Sequence, residues 1–342
     1  MVMEIDLTEN VPGVELTEAE NELYDRQIRL WGLESQKRLR TAKILISGLN
    51  GLGAEITKNI ILSGVSLVKL HDDKLVTEED FCSQFLASRE SLSTNRAQAS
   101  LERASALNPM VDISADTDPL KNKTSEFFGQ FDVVVVNGQS NEELLRIDTI
   151  CREKGVKFYA TDVWGTFGFF FAGLQTHRYV EDEIKYKLIS KPTEKPKYET
   201  VSKPVQHEVE YPAYSSWLNF NINATGYQRK LKRNGPGIVL LRILQKFRII
   251  HHRDPSYKTR EQDLVKLQLI RDEVASNPTA TDINDQTLGM LFAQISPAVA
   301  IVGGVVAQEV IKVITKVEAP HRNLFIFDPH TCAGYVETVG VN

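Results

Sequence analysis

KILISGLNGLGAEITKNIILSGV, Lys43 to Val65, decides the fold class. Ile44 to Ser47 read as a buried strand, a glycine-rich turn follows, and the spacing of Ile56, Ile60 and Ile61 predicts a helix that ends at Gly64. A dinucleotide-binding turn has the form G-x-G-x-x-G, and its three key positions here hold Gly48, Asn50 and Gly53. The first and third positions serve the sharp bend and close helix packing, and both are glycine. The second lets the backbone come within hydrogen-bond reach of a pyrophosphate, and Asn50 places a side chain there. Asparagine tolerates left-handed backbone angles, so the turn is expected to form while phosphate is kept off.

Outward from the turn, "SLVKLHDD", "VDISAD", "FDVVVVNG", "VKFYATDVWG" and "TFGFFFAGL" read as further strands, alternating with helical segments that end at Asn108-Pro109 and at Gly155. Near-continuous apolar strands separated by helices predict an α/β fold, a doubly wound, mostly parallel sheet with flanking helices over residues 40 to 180. Upstream, Thr17 and Glu20 form a capping-box pattern expected to open one helix through "NELYDRQIRLWGLESQKRLR". From Val180 to Ser215 the chain turns charged and proline-bearing, which reads as a polar, irregular or edge-strand insertion at a domain boundary. The run "ISPAVAIVGGVVA" is thirteen residues, short of the roughly 20 that span a bilayer. It predicts a buried helix begun by Pro297 and packed closely through Gly303 and Gly304. The resulting division is 1–180, 181–290 and 291–342.

Bulk composition narrows the function classes. With 42% hydrophobic and 25% charged residues and a net charge of -5, the chain has no overall attraction to nucleic acid or anionic lipid. Arg229, Lys230, Lys232 and Arg233 form the one basic cluster, read as a solvated face, with a nuclear-import signal or a partner contact as the sharper alternatives. Cys82, Cys151 and Cys332 lie far apart with no histidine at metal spacing, which argues against a zinc site and for a reducing compartment; all three are expected to be buried and inert. The acidic start "MVMEIDLTEN" has no apolar core of a secretion signal. Asp72, at the end of the second strand, stands where a dinucleotide enzyme holds a ribose, and equally where a strand-end aspartate forms a turn.

"LYDRQIRLWG" (Leu23 to Gly32), "SGLNGLGAEITKNIILSGV" and "SPAVAIVGGVVAQEVIK" (Ser296 to Lys312) together resemble the adenylating family that activates ubiquitin-like proteins and bacterial sulfur carriers. Within it the likeness is to the branch of small subunits that serve the SUMO carrier. The resemblance implies a Rossmann-like fold and a reaction in which ATP and the carrier's C-terminal carboxylate form an acyl-adenylate, captured by a cysteine as a thioester. Complete members have D-x-D and then S-N-L-N-R-Q-F-L after the second strand, a lysine in the next helix and a magnesium-holding aspartate after the fourth strand. Here Asp72 matches the first acid but Lys74 replaces the second, and "EDFCSQFL" keeps only Gln84, Phe85 and Leu86. Arg96 stands at the lysine and Ser140 at the magnesium aspartate.

Nucleotidyl transfer rests on positioning and electrostatic stabilisation, and each lost group costs about 10² to 10³ in rate. The resemblance therefore implies a silent site with no cofactor or metal on this chain. ATP and magnesium would be bound by the partner, the large catalytic subunit of the SUMO-activating enzyme, which also supplies the thioester cysteine. Arg26 of the R-Q-I-R motif would reach the partner's ATP phosphates in trans, a role suited to a planar, permanently charged guanidinium. The resemblance implies a heterodimer, SUMO bound through the complex, a nuclear location, and contact with neither nucleic acid nor membrane. An NAD-dependent oxidoreductase shares the strand, turn and helix but needs an open second glycine; the small subunit for another ubiquitin-like carrier, or a scaffold that never touches ATP, fits the same residues.

Overall fold

The computed structural model describes residues 14–188, 198–222, 224–274, 283–328 and 331–340. The acidic leader and the centre of the polar insertion lie outside them. The capping box forms: Thr17 accepts from the Glu20 amide, and the Glu20 carboxylate accepts from the Thr17 amide at 2.8 Å. The single helix expected after it is instead three, α1 (Glu18–Leu23), α2 (Asp25–Trp31) and α3 (Leu33–Leu39). The breaks fall at Tyr24 and at Gly32, where φ is 88°. Tyr24 explains the first: its ring is buried beneath Gly64 and its hydroxyl accepts from the Asn108 amide at 2.8 Å, which ties α1 to the body and turns α2 outward.

β1 (Lys43–Ser47), α4 (Gly51–Leu62) and β2 (Leu67–His71) form the first β-α-β unit, with Ile44 paired to Val68 in parallel. α5 (Arg96–Leu107), capped by Asn95, leads to β3 (Asp112–Asp116), and α6 (Ser125–Phe128) to β4 (Val133–Asn137). α7 (Asn141–Lys154), closed by left-handed Gly155, leads to β5 (Lys157–Trp164). These strands run parallel in the order β3-β2-β1-β4-β5, so the chain reverses its winding between β1 and β4, the place where such sheets bind ligands. β6 (Phe167–Gly173) departs from the parallel series: only Gly165 and Thr166 separate it from β5, and two residues allow a hairpin but not a crossover.

β7 (Thr176–Leu188) and β8 (Tyr198–Glu210) make a separate antiparallel ribbon, Thr176 opposite Glu210, so the described part of the expected irregular insertion is a regular ladder. The helices α8 (Tyr214–Leu218), α9 (Thr225–Asn234), α10 (Gly237–His251), α11 (Arg260–Val274), α12 (Asp285–Gly289) and α13 (Ser296–Thr315) precede β9 (Leu324–Asp328) and β10 (Ala333–Glu337), which extend the sheet antiparallel beyond β6. Of the basic cluster in α9, Arg229 and Lys230 are exposed; the side chains of Lys232 and Arg233 lie outside the described residues.

Side chains alternate across the sheet, and both faces are covered. Ile44, Ile46, Val133 and Val135 pack under α4 and α13, while Leu45, Val134 and Val136 pack with Ile147 of α7 and Leu240 and Leu244 of α10. α13 is the expected buried helix with Pro297 in its first turn; it has 20 residues, running past the apolar stretch, and is long and apolar enough to cross a bilayer by length and composition alone, while its buried residues pack on the sheet and α4. Of its two glycines only Gly303 serves close packing, since a Cβ there would stand 2.7 Å from that of Glu55, whereas Gly304 has open space.

His177, at the base of β7, is 3% exposed, and burial followed by the charges of Lys157 and Lys316 pushes its imidazole down to about 4. The unfolded chain takes up that proton near pH 6.5 and the native state does not, so stability falls as pH drops from there toward 4. The expected contribution at pH 5 is a loss of about 2 kcal/mol relative to pH 7. Urea melts of the protein and of His177→Phe at both pH values check it; an identical drop in both would remove His177 as a cause.

Candidate functional site

At the switch point, Gly48 takes φ 93°, and a Cβ on it would lie 2.6 Å from the carbonyl oxygen of Asn137. Gly53 meets the Gly48 carbonyl so closely that a Cβ would be 1.9 Å from its oxygen. Both glycines thus do what the bend and the helix contact require. Asn50 does not use the left-handed angles its residue type allows. It sits extended at φ -74°, ψ -169° as the cap of α4, with its Oδ1 accepting from the Gly53 amide at 3.1 Å. A helix N-terminus offers such amides to a phosphate oxygen. Here a side-chain oxygen of the chain itself takes that place.

Asp72 is 3% exposed and both of its carboxylate oxygens are engaged. One accepts from the Leu49 amide at 2.7 Å and the other from the Lys74 amide at 2.9 Å, so the carboxylate braces the turn. Arg96 donates to Asp80 at 3.0 Å and stands 3.8 Å from Asp72. Asp80 in turn accepts from the Thr77 amide at 2.8 Å. The retained Gln84 is structural: its Nε2 donates to the Leu49 carbonyl and to Ser100, and its Oε1 accepts from the amides of Leu86 and Ala87. Ser83 presses on the turn, its Oγ 1.9 Å from where a Cβ of Gly51 would be. Ser140, exposed, caps α7 by accepting from the Glu143 amide at 3.3 Å.

The opposite wall holds residues that the sequence reading missed. Asp162 at the end of β5 is buried and accepts from Arg248 of α10 at 2.6 Å. Arg248 also donates to Asp254 at 2.8 Å and to the Gln139 carbonyl at 2.7 Å, and lies over the Trp164 ring. Burial drives the Asp162 carboxyl up, and Arg248 draws it part of the way back. An aspartate inside an otherwise apolar strand, "FYATDVW", was the available signal. Between the walls lies a cavity of about 170 Å³. Ligand pockets run from about 300 to 1,000 Å³, so the space is small by that measure, and Arg96 with Asp80 and Arg248 with Asp162 and Asp254 are paired in its walls.

Arg26 is elsewhere, on α2. Gln27 of that helix donates to the Leu62 carbonyl at 3.2 Å, and Trp31 donates to Gln36 at 3.0 Å, anchoring its inner face. Arg29 is paired with Asp25 at 3.0 Å on the surface. Arg26 is exposed and has no partner among the described residues. Beside it, Leu30 is 78% exposed at the edge of a groove of about 450 Å³ lined also by Trp31, Leu62 and Ile311.

The cysteines divide. Cys151 is fully buried, and burial pushes its thiol far up, as expected for an inert side chain. Cys82 and Cys332 are exposed, contrary to expectation, because each sits in a short surface turn or 3₁₀ segment rather than under a helix or strand.

The ThiF family model matches residues 24–339. SUMO-activating enzyme subunit 1 of Xenopus tropicalis is 39% identical over 337 residues, covering 95% of this chain and 97% of that protein. The human protein of the same name is 39% identical over 96% of this chain and 97% of its own. Among solved structures, PaaA aligns with a TM-score of 0.58 at 15% identity, covering 94% of this chain and 84% of that one. E. coli MccB with succinimide aligns at 0.53 and 13%, covering 92% and 71%. These two are likenesses of fold. With the family match running from Tyr24 of the outward helix motif to Val339 beyond the last strand, the chain belongs to the ThiF family.

Proposed function

We propose that this chain is the small, noncatalytic subunit of a two-subunit SUMO-activating enzyme of the nucleus. It forms one pseudo-symmetric half of the adenylation platform and lends Arg26 to the ATP site of its large partner. The observation that carries this reading is the internal pairing of the switch-point pocket. Asn50 is engaged by the Gly53 amide, Asp72 by Leu49 and Lys74, and Arg96 by Asp80, while Arg26 has no partner among the described residues. Ser140 offers no carboxylate to a magnesium ion, which commonly leans on one or two. The 39% identity to SUMO-activating enzyme subunit 1 over nearly the whole chain supports the choice of carrier. The exposed apolar groove beside Arg26 supports a partner seated on that side of α2.

In the complex, ATP bound by the large subunit supplies the adenylyl group that activates the carrier's C-terminal carboxylate. This chain's part is to hold α2 rigid through Tyr24, Gln27 and Trp31, so that the Arg26 guanidinium meets the phosphates already ordered. The purified chain is expected to show no ATP-pyrophosphate exchange above background. Adding the large SUMO-activating subunit and SUMO restores it, and another ubiquitin-like carrier in place of SUMO does not. Robust exchange by the isolated chain would refute the reading.

A further inference from the structure

At the end of the sheet opposite the turn, the chain entering β1, the first residues of β4 and β5 and the base of β7 surround a cleft of about 1200 Å³. Six basic side chains line it: Lys154 and Arg178, which face Glu126 and Glu208, and four with no ion-pair partner among the described residues, Arg38 of α3, Lys157 of β5, His177 of β7 and Lys316, which ends α13. Arg38 donates to the Thr315 carbonyl at 2.6 Å, and Lys157 donates to the carbonyls of Leu174 and Thr176 at 2.7 and 3.0 Å. Those acceptors are neutral and leave the charges uncompensated. Lys316 is exposed, and the buried Nε2 of His177 has no hydrogen-bond partner among the described residues.

Acidic groups near the cleft are already committed. Asp132, the carboxylate among its lining residues, accepts from the Lys43 amide at 2.8 Å. At the rim, Glu126 stands 3.8 Å from Lys154, Glu208 holds Arg178 at 2.5 Å, and Glu210 accepts from the Thr176 hydroxyl at 2.5 Å. The crowding of positive charge is felt locally: burial, then Lys316 and Arg152, hold the Lys157 ammonium below its usual range. Cations outnumber carboxylates here, Asp132 being the one acid among the lining residues, and beside them lies a buried imidazole nitrogen without a partner among the described residues, an arrangement that an entering anion would relax.

We propose that this cleft binds a small multivalent phosphate-type anion, gripped by Arg38, Lys157 and Lys316 beside the unpartnered ring edge of His177. Tetrahedral oxyanions accept several charge-assisted hydrogen bonds at once, which a set of donors arriving from three elements can supply. The site stands apart from the switch-point pocket, and its existence does not depend on the adenylation reading.

Calorimetric titration of the full chain with pyrophosphate, and separately with inorganic phosphate, at low ionic strength tests this. One saturable site is expected, tighter for pyrophosphate. Lys316→Glu is expected to weaken it at least tenfold. Lys185→Glu is expected to change it less than twofold, because Lys185 lies about 25 Å further along β7 from His177. Saturation should also shift the His177 imidazole resonances, a readout that stands even if a variant folds poorly. Absence of saturable binding, equal weakening by both charge reversals, or an unmoved His177 signal would each overturn the proposal.

Discussion

Replacing Arg26 by alanine is expected to slow adenylation of the carrier by the reconstituted two-subunit enzyme about 10²- to 10³-fold, the usual cost of removing one preorganised group that stabilises transition-state charge. On the same helix Arg29 is tied to Asp25 at 3.0 Å and Gln27 to the Leu62 carbonyl, so each has work within the chain. Arg26 is exposed with no partner among the described residues, and its removal should leave the melting temperature and copurification with the large subunit unchanged. That separates a lost catalytic cation from a lost fold. Arg29→Ala serves as the comparison and is expected to change the rate less than threefold, since exposed ion pairs are worth about 0 to 1 kcal/mol. Arg26→Lys keeps the charge but loses the planar fork, so an intermediate rate is expected. Pyrophosphate exchange with saturating ATP and SUMO measures all three. Wild-type exchange by Arg26→Ala would leave this chain a scaffold with no part in the chemistry.

The sequence disclosed most where the constraint was local. Gly48 and Gly53 were readable because a sharp bend and a helix pressed on a backbone carbonyl exclude any side chain, whatever the ligand. The Thr17–Glu20 box and Gly155 were legible for the same reason, each acting within four residues. Asn50 was placed correctly but given the wrong geometry: left-handed tolerance is a property of asparagine in turns, while this asparagine caps a helix from the extended region. The break at Tyr24 escaped notice because its cause, Asn108, lies 84 residues away. The antiparallel course of β6 could have been read from the two-residue connection at Gly165, yet the apolar run "TFGFFFAGL" looks the same in either direction. On the far wall of the pocket Asp162 could have been singled out as an acid in an apolar strand, but its pairing could not. Asp162 and Arg248 are 86 residues apart, and neither neighbourhood contains any sign of the other.

That pair yields the second large effect: Arg248→Met is expected to destabilise the protein by about 3 to 5 kcal/mol at pH 7, the range for a buried ion pair that loses one partner. Asp162 has a side chain 4% exposed and Arg248 one 12% exposed, so neither can fall back on water. The Asp162 carboxylate would keep only the Val163 amide at 2.9 Å and a distant Gln294 amide at 3.4 Å. Asp254 and the Gln139 carbonyl would lose a donor as well. The sign of the pH dependence follows from Asp162. Burial already holds its folded pKa above the unfolded value, and removing Arg248 raises it further. A carboxyl raised in this way costs stability as pH climbs above its unfolded pKa of about 4, so the deficit of Arg248→Met should shrink on going from pH 7 to pH 5. Adding Asp162→Asn removes the stranded charge and should recover more than half of the loss, because replacing both members of a buried pair is often close to neutral. Urea melts of the two single variants and the double variant at both pH values decide the matter. A loss under about 1 kcal/mol for Arg248→Met, unchanged by pH, would mean that water reaches Asp162 and that the far wall of the pocket is not a sealed, self-paired surface.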